Sequence, residues 1–398
     1  MEFQKRKLKN GMLVVMEKRD LPLVSVSITN RFGAAYEESE IKGIAHFIEH
    51  LVFTGTETRS HEDISREIEK KGGILNAFTW HEVTSFLFKL PSEHLFAGFD
   101  ILVDILRNPI FEKEKFEKEK KVILEEIKVY RDNPRTAVRD MIEKNLYEKP
   151  FGELVIGNEE SVSKLDRDFI VDYFKKSYNP KNYLVTVVGD ADFEKVCSYL
   201  EENFEALDGE REIKKIVKKN GETVEEREGI DQAHFILGMH APLPSEEDYV
   251  VLEVLDAYLA SGMSSRLFLE IREKRGLAYI VNSSISGEKS WCVYQIYVGT
   301  KRDKVSEVKR IILEEFNKIS AMSENDLREA KERLIGLRHV SREDSGDVMN
   351  ELMFSALRDN VERYYRYDDD VRSVKLEDVK RLAKDLIREY STAAIVPK

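Results

Sequence analysis

The sequence predicts an α+β fold made of two homologous domains, each a mostly antiparallel sheet packed with helices. Three observations predict it. Strand-like alternation and helix-like periodicity occur in mixed runs within each half instead of regular βα units. The second half repeats the order of the first at an offset of roughly 204 to 211 residues. The chain has 398 residues, too many for one ordinary core and suited to two domains of about 200. The expected division is 1–208, a charged linker or edge segment at 209–229, and 230–398.

Strands are expected at 12–17, 23–30, 84–90 and 183–188, where runs such as "LVSVSITN" and "TSFLFKL" alternate as a sheet with one buried face does. Helices are expected at 41–54, 61–71, 93–107, 113–131 and 166–176. In the second half, "QAHFILGMHAPLP" mirrors "LVSVSITNRFGAA", and "DYVVLEVLDAYLAS" stands where "IKGIAHFIEHLVFT" stood. Between the halves, "DGEREIKKIVKKNGETVEEREG" is charged and poor in aromatics, as a linker or edge segment would be. The halves differ where chemistry would sit, because "HFIEH" of the first has become "DAYLA" in the second.

Composition narrows the function classes. Hydrophobic residues make up 42% and charged residues 35%, which describes a globular protein with a charged surface. A formal net charge of −12 disfavours nucleic acid and anionic membrane as partners. The two cysteines, Cys197 and Cys292, form no C-x-x-C pair, so neither a disulfide framework nor a thiolate metal site is expected. The apolar run near the N-terminus is too short for a signal peptide or membrane span, and a cytoplasmic location is expected.

His46 and His50 lie four apart in "IAHFIEHLVFTGT", with Glu49 beside the second. Positions i and i+4 share a helix face, so both imidazoles can address one point. Zinc accepts imidazole and carboxylate ligands and keeps a position open in hydrolytic sites, and Glu49 is placed to act as general base toward a water there. The order H-x-x-E-H reverses the commoner H-E-x-x-H and is the arrangement of inverted zinc peptidases. A third ligand is sought in "EKEKFEKEKKVILEEIKVY", where Glu119 and Glu126 share a face and Glu125 points elsewhere; spacing alone does not choose between Glu125 and Glu126. His81 is expected at the surface, and His61, His94, His234, His240 and His339 read as structural.

The segment "GIAHFIEHLVFTGTETR" resembles the zinc segment of the M16 metallopeptidases, whose fold is the processing-peptidase-like metallohydrolase fold also seen in LuxS. "GGILNAFTWHEVTSF", with Asn76, Ala77, Thr79 and Glu82, and "SRLFLEIREKRGLAY" match as well, and the resemblance covers the whole chain at the length of the short, two-domain subunits. It implies one Zn2+ per chain held by His46, His50 and Glu126, the last lying 126 − 50 = 76 residues after the second histidine. It implies further that Glu49 activates water and Glu119 supports the site. Around Gly73 to Thr79, including Asn76 and Ala77, an edge strand would pair with substrate backbone, and Arg272 and Tyr279 would clamp the substrate. The expected activity is endopeptidase action on short or unfolded peptides inside a closed chamber formed by a homodimer. The alternatives are a non-catalytic scaffold like the respiratory-complex core subunits, or a specific precursor-processing enzyme.

Overall fold

Period-two alternation resolves into two sheets in the computed structural model, which describes residues 2–205 and 212–398. The first sheet contains β1 (Glu2–Lys7), β2 (Leu13–Lys18), β3 (Leu23–Asn30), β4 (Ile74–Thr79), β5 (Thr84–Pro91) and β6 (Tyr183–Gly189), in the order β1-β2-β6-β3-β5-β4. The second contains β7 (Glu222–Arg227), β8 (Ala233–His240), β9 (Ala278–Gly287), β10 (Cys292–Thr300) and β11 (Ser391–Pro397), in the order β7-β11-β8-β10-β9. Each sheet is antiparallel except for one parallel pair, β2 with β6 and β7 with β11. Omitting β1, the second order reproduces the first strand for strand, so the α+β expectation holds and the repeat is topological. Part of the expected 209–229 segment, Glu222–Arg227, is the edge strand β7, while 209–211 lie outside the described residues.

The chain forms two compact units of three segments each. One contains 1–128, 153–215 and 341–361, the other 129–152, 216–340 and 362–398. In the first half, α1 (Ile44–Val52), α2 (His61–Glu69), α3 (Leu95–Arg107) and α4 (Lys113–Asp132) fall where periodicity predicts. They are followed by α5 (Pro134–Leu146), which starts with an Asn133 cap and a proline in its first turn. Helix α5 packs on β8 and β11, within the second unit. Gly238 lets it approach, since a Cβ there would lie 2.7 Å from Ile142. Its counterpart in the repeat, Ser345–Leu357, packs on β3 and β6 of the first unit, where Ser345 and Ser25 hydroxyls meet at 2.9 Å. The sequence repeat is contiguous, but each compact unit takes one helix from the other half.

Each unit has its own core. The first is built from β2, β3, β5 and β6 with α1 to α3 and part of α4; the second from β8, β10 and β11 with the helices that follow β8. Among the described residues no helix is long and apolar enough to cross a membrane. Strand β4 ends the first sheet. Its Leu75 and Ala77 turn toward the core, while Ile74 and Asn76 are exposed.

Candidate metal centre

Helix α1 is short and deeply held. Ile44, Ala45, Phe47, Ile48, Leu51 and Val52 are fully buried, so only one narrow face is left for His46, Glu49 and His50. The expected start at 41 moves to 44 because Gly43 takes a left-handed conformation, φ 96°, and offers no side-chain cap. The cap comes from a distance. The buried carboxylate of Glu37 accepts the N–H of Ala45 at 2.7 Å and of Gly43 at 3.0 Å, filling the role of a capping side chain. Lys42 Nζ lies 3.9 Å from that carboxylate and donates to the Ala34 carbonyl at 2.7 Å.

After α1, the "GTETR" turn is tied to α3. Asp104, 5% exposed, accepts from Thr56 at 2.6 Å, from Thr58 at 2.9 Å and from Arg59 at 2.8 Å. Phe47 stacks on Phe116 of α4 with ring centroids 5.1 Å apart. With Phe116 packed there, Glu119 and Glu126 both lie to one side of it, about 60–80° round the helix, whereas Glu125 falls on the opposite side. Glu125 is exposed and pairs with Lys128 at 2.7 Å. Packing thus turns Glu126, and not Glu125, toward the two histidines.

Glu126 Oε2 lies 3.8 Å from His46 Nε2 and 3.6 Å from His50 Nε2, and the three ligand-capable atoms all lie within 4.8 Å of one another. Tetrahedral zinc with bonds of 2.0–2.2 Å places its ligands roughly 3.3–3.5 Å apart, so the two distances from Glu126 are a few tenths of an ångström wider than in a closed site. No ring nitrogen of His46 is committed to a hydrogen bond among the described residues, and its Nδ1 is buried. Burial, and then the neighbouring His50, push His46 down to about 3, which keeps the ring neutral with a lone pair to offer. His50 Nδ1 faces Glu119 Oε2 at 3.4 Å, the partnership that orients a ligating imidazole. Burial disfavours a charge on His50, but Glu119, Glu49 and Glu126 outweigh it and hold the ring above its usual range. Burial also raises the Glu49 carboxyl, opposed by a 2.5 Å hydrogen bond from the Thr79 hydroxyl and by His50, and reinforced by Glu126. Two imidazoles beside three carboxylates form an electronegative pocket that suits a divalent cation.

Asn76 and Ala77 lie on β4, where the Asn76 side-chain oxygen accepts the Ala77 N–H at 2.8 Å. Arg272 and Tyr279 belong to the second unit, where the guanidinium lies 5.0 Å from the Tyr279 ring centroid and the tyrosine is 70% exposed. Arg272 stands in a π-helical turn, Phe268–Glu273. His81 departs from expectation: it is 4% exposed, held inside by backbone bonds from Ala34 to the Trp80 carbonyl and from Ala35 to the His81 carbonyl. Asp104 escaped sequence reading because Thr56, Thr58 and Arg59 lie far from it in the chain, and Glu37 because it caps α1 from well upstream of the N-cap position.

The sequence model described as "Insulinase (Peptidase family M16)" matches residues 13–159, and that described as "Peptidase M16 inactive domain" matches 164–334. The chain belongs to the M16 peptidase family. An uncharacterized zinc protease of Rickettsia felis is 30% identical over 99% of this chain and 97% of its own length. The uncharacterized zinc protease YmxG of Bacillus subtilis is also 30% identical, over 98% of this chain and 97% of its own. A protease from Helicobacter pylori shares the M16 two-domain fold, with a TM-score of 0.92 at 23% identity, covering 100% of this chain and 99% of that one.

Proposed function

We propose that this M16 protein is a zinc-dependent endopeptidase acting on short or unfolded peptides bound in extended form. The observation that carries the reading is the convergence of His46, His50 and Glu126 with Glu49 on the same helix face. The donor set fits zinc, and those three residues would hold it. A zinc ion there would supply Lewis acidity toward a water and a peptide carbonyl.

Everything else is done by the chain. Glu49, with one carboxylate oxygen held by Thr79, would take a proton from the attacking water through the other and later pass it to the leaving amine nitrogen. Its raised proton affinity suits a group that must first accept a proton and then give it up. Glu119 would keep the His50 ring in position. The free edge of β4 would pair with substrate backbone, the peptide displacing the Asn76 side chain from the Ala77 N–H. Arg272 and Tyr279 would donate to substrate carbonyls, the family resemblance being their support. A homodimer enclosing the peptide, and a cytoplasmic location, belong to the same proposal; two free, buried cysteines suit a reducing compartment.

The test is Glu49→Gln. The variant is expected to bind zinc as wild type does and to lose turnover of mixed quenched peptides by about a hundredfold or more. Near wild-type cleavage by that variant would defeat the assignment.

A further inference from the structure

His46 is the third residue of α1 and so stands in its first turn, whereas Glu49 and His50 stand a turn further along. The first turn is where a helix frays, because its leading N–H groups have no partner within the helix. A Ser, Thr, Asp or Asn just before the helix is the ordinary remedy. That remedy is closed to this chain. Gly43 fills the position with φ 96°, and a Cβ on it would lie 2.6 Å from the Ile156 carbonyl oxygen.

The two carboxylate oxygens of Glu37 divide the task instead, one accepting the Ala45 N–H at 2.7 Å and the other the Gly43 N–H at 3.0 Å. Glu37 has no exposed surface, and a carboxylate so buried is costly unless a cation compensates it. Lys42 supplies that charge, itself fully buried with Nζ 3.9 Å from the carboxylate. It is anchored at both ends. Its Nζ donates to the Ala34 carbonyl at 2.7 Å, and its own carbonyl accepts the Ser161 hydroxyl at 2.7 Å. The Ala34 N–H donates in turn to the Trp80 carbonyl at 3.0 Å, so the same loop joins the start of α1 to the hairpin whose Thr79 holds Glu49.

We propose that Glu37 and Lys42 form a positioning pair for the metal: by pinning the first turn of α1 they hold the His46 imidazole where His50 and Glu126 converge. The inference rests on the zinc reading above and adds two residues outside the ligand set. A ligand held in place before the ion arrives loses no affinity to the ordering of a frayed turn. His50, one turn further into the helix, does not depend on the pair, so its removal acts through His46.

The experiment uses full-length protein. Changing one member alone would leave the other charge buried and unpaired, so both are changed together. Glu37→Gln/Lys42→Met keeps one acceptor for the amides, while Glu37→Leu/Lys42→Met keeps the bulk and removes both. Zinc affinity is read by competition against a chromophoric chelator, and the first turn by amide hydrogen exchange of the metal-free protein. The Gln double is expected to lose about fivefold in zinc affinity and the Leu double about fiftyfold. Exchange should quicken only in the stretch from Gly43 to Phe47, and excess zinc should restore cleavage. Wild-type affinity in the Leu double, equal losses in the two doubles, or exchange that quickens throughout the first unit would overturn the proposal. Loss of cooperative unfolding in both doubles would assign the pair to folding and overturn it as well. Zinc affinity that depends on the pair in a protein that cleaves no peptide would sink the peptidase reading and leave the pair standing. Active enzyme whose zinc affinity ignores both doubles would do the reverse.

Discussion

The Thr79 hydroxyl donates a 2.5 Å hydrogen bond to Glu49 Oε2, tying the end of edge strand β4 to the face of α1 that carries both histidines. The strand that would hold substrate and the carboxylate that would move the proton are thus positioned by one contact. Thr79→Val keeps the shape and removes the donor. It is expected to lower kcat about tenfold with zinc content unchanged, because an unanchored carboxylate spends less time in productive orientation. Steady-state kinetics with metal analysis checks this; an unchanged kcat would remove Thr79 from the account.

On the proposed reading, Glu119 would act on the metal only through His50. Glu119→Gln is therefore expected to weaken zinc affinity by about tenfold to a hundredfold while leaving all three ligands in place. Competition against a chromophoric chelator reads the change directly. Affinity equal to wild type would show that the 3.4 Å contact does not orient the ring.

Asp104 supports the turn that follows α1. Burial pushes its carboxyl up, but hydrogen bonds from Asn108, Thr56, Arg59 and Thr58 outweigh it and hold the group below the usual carboxylate range. A carboxyl whose folded pKa is depressed contributes stability above its unfolded value, about 3.9, and loses it as pH falls through the lower folded value. Asp104→Asn is expected to cost about 2–3 kcal/mol at pH 7. Denaturant unfolding should give the same difference at pH 5 and a smaller one once the pH drops below about 4. A difference that stays constant or grows in acid would contradict the assignment.

Much of the fold could be read from pattern, and the exceptions have physical causes. Strand β3 alternates in sequence although both its faces are buried, because Val24, Val26 and Ile28 enter the core while Ser25 and Thr29 meet Ser345 and Met353 of the helix on its other face, and α1 to α4 carry helical periodicity. Strand β1, "EFQKRK", is a polar edge with no such alternation. Helix α5 is weakly patterned, and its place on the second sheet depends on contacts with β8 and β11 about a hundred residues or more away. At the site, the i, i+4 histidines were local and legible. Spacing alone does not choose Glu126 over Glu125; the family resemblance points to Glu126, and the packing of Phe47 on Phe116 turns it toward the histidines, while the cap on α1 needs Glu37 to fold back onto Gly43 and Ala45. His61 read as structural, yet it lines a cavity beside Glu49, a position set by its bond to the Phe53 carbonyl.

The most direct test returns zinc in measured steps to chelator-stripped protein while cleavage of a quenched peptide mixture is followed. The account predicts activity that rises linearly and levels off at one zinc per chain, with His46→Ala staying flat at those concentrations. Cleavage that is indifferent to stripping and refilling, or that His46→Ala matches, would contradict it.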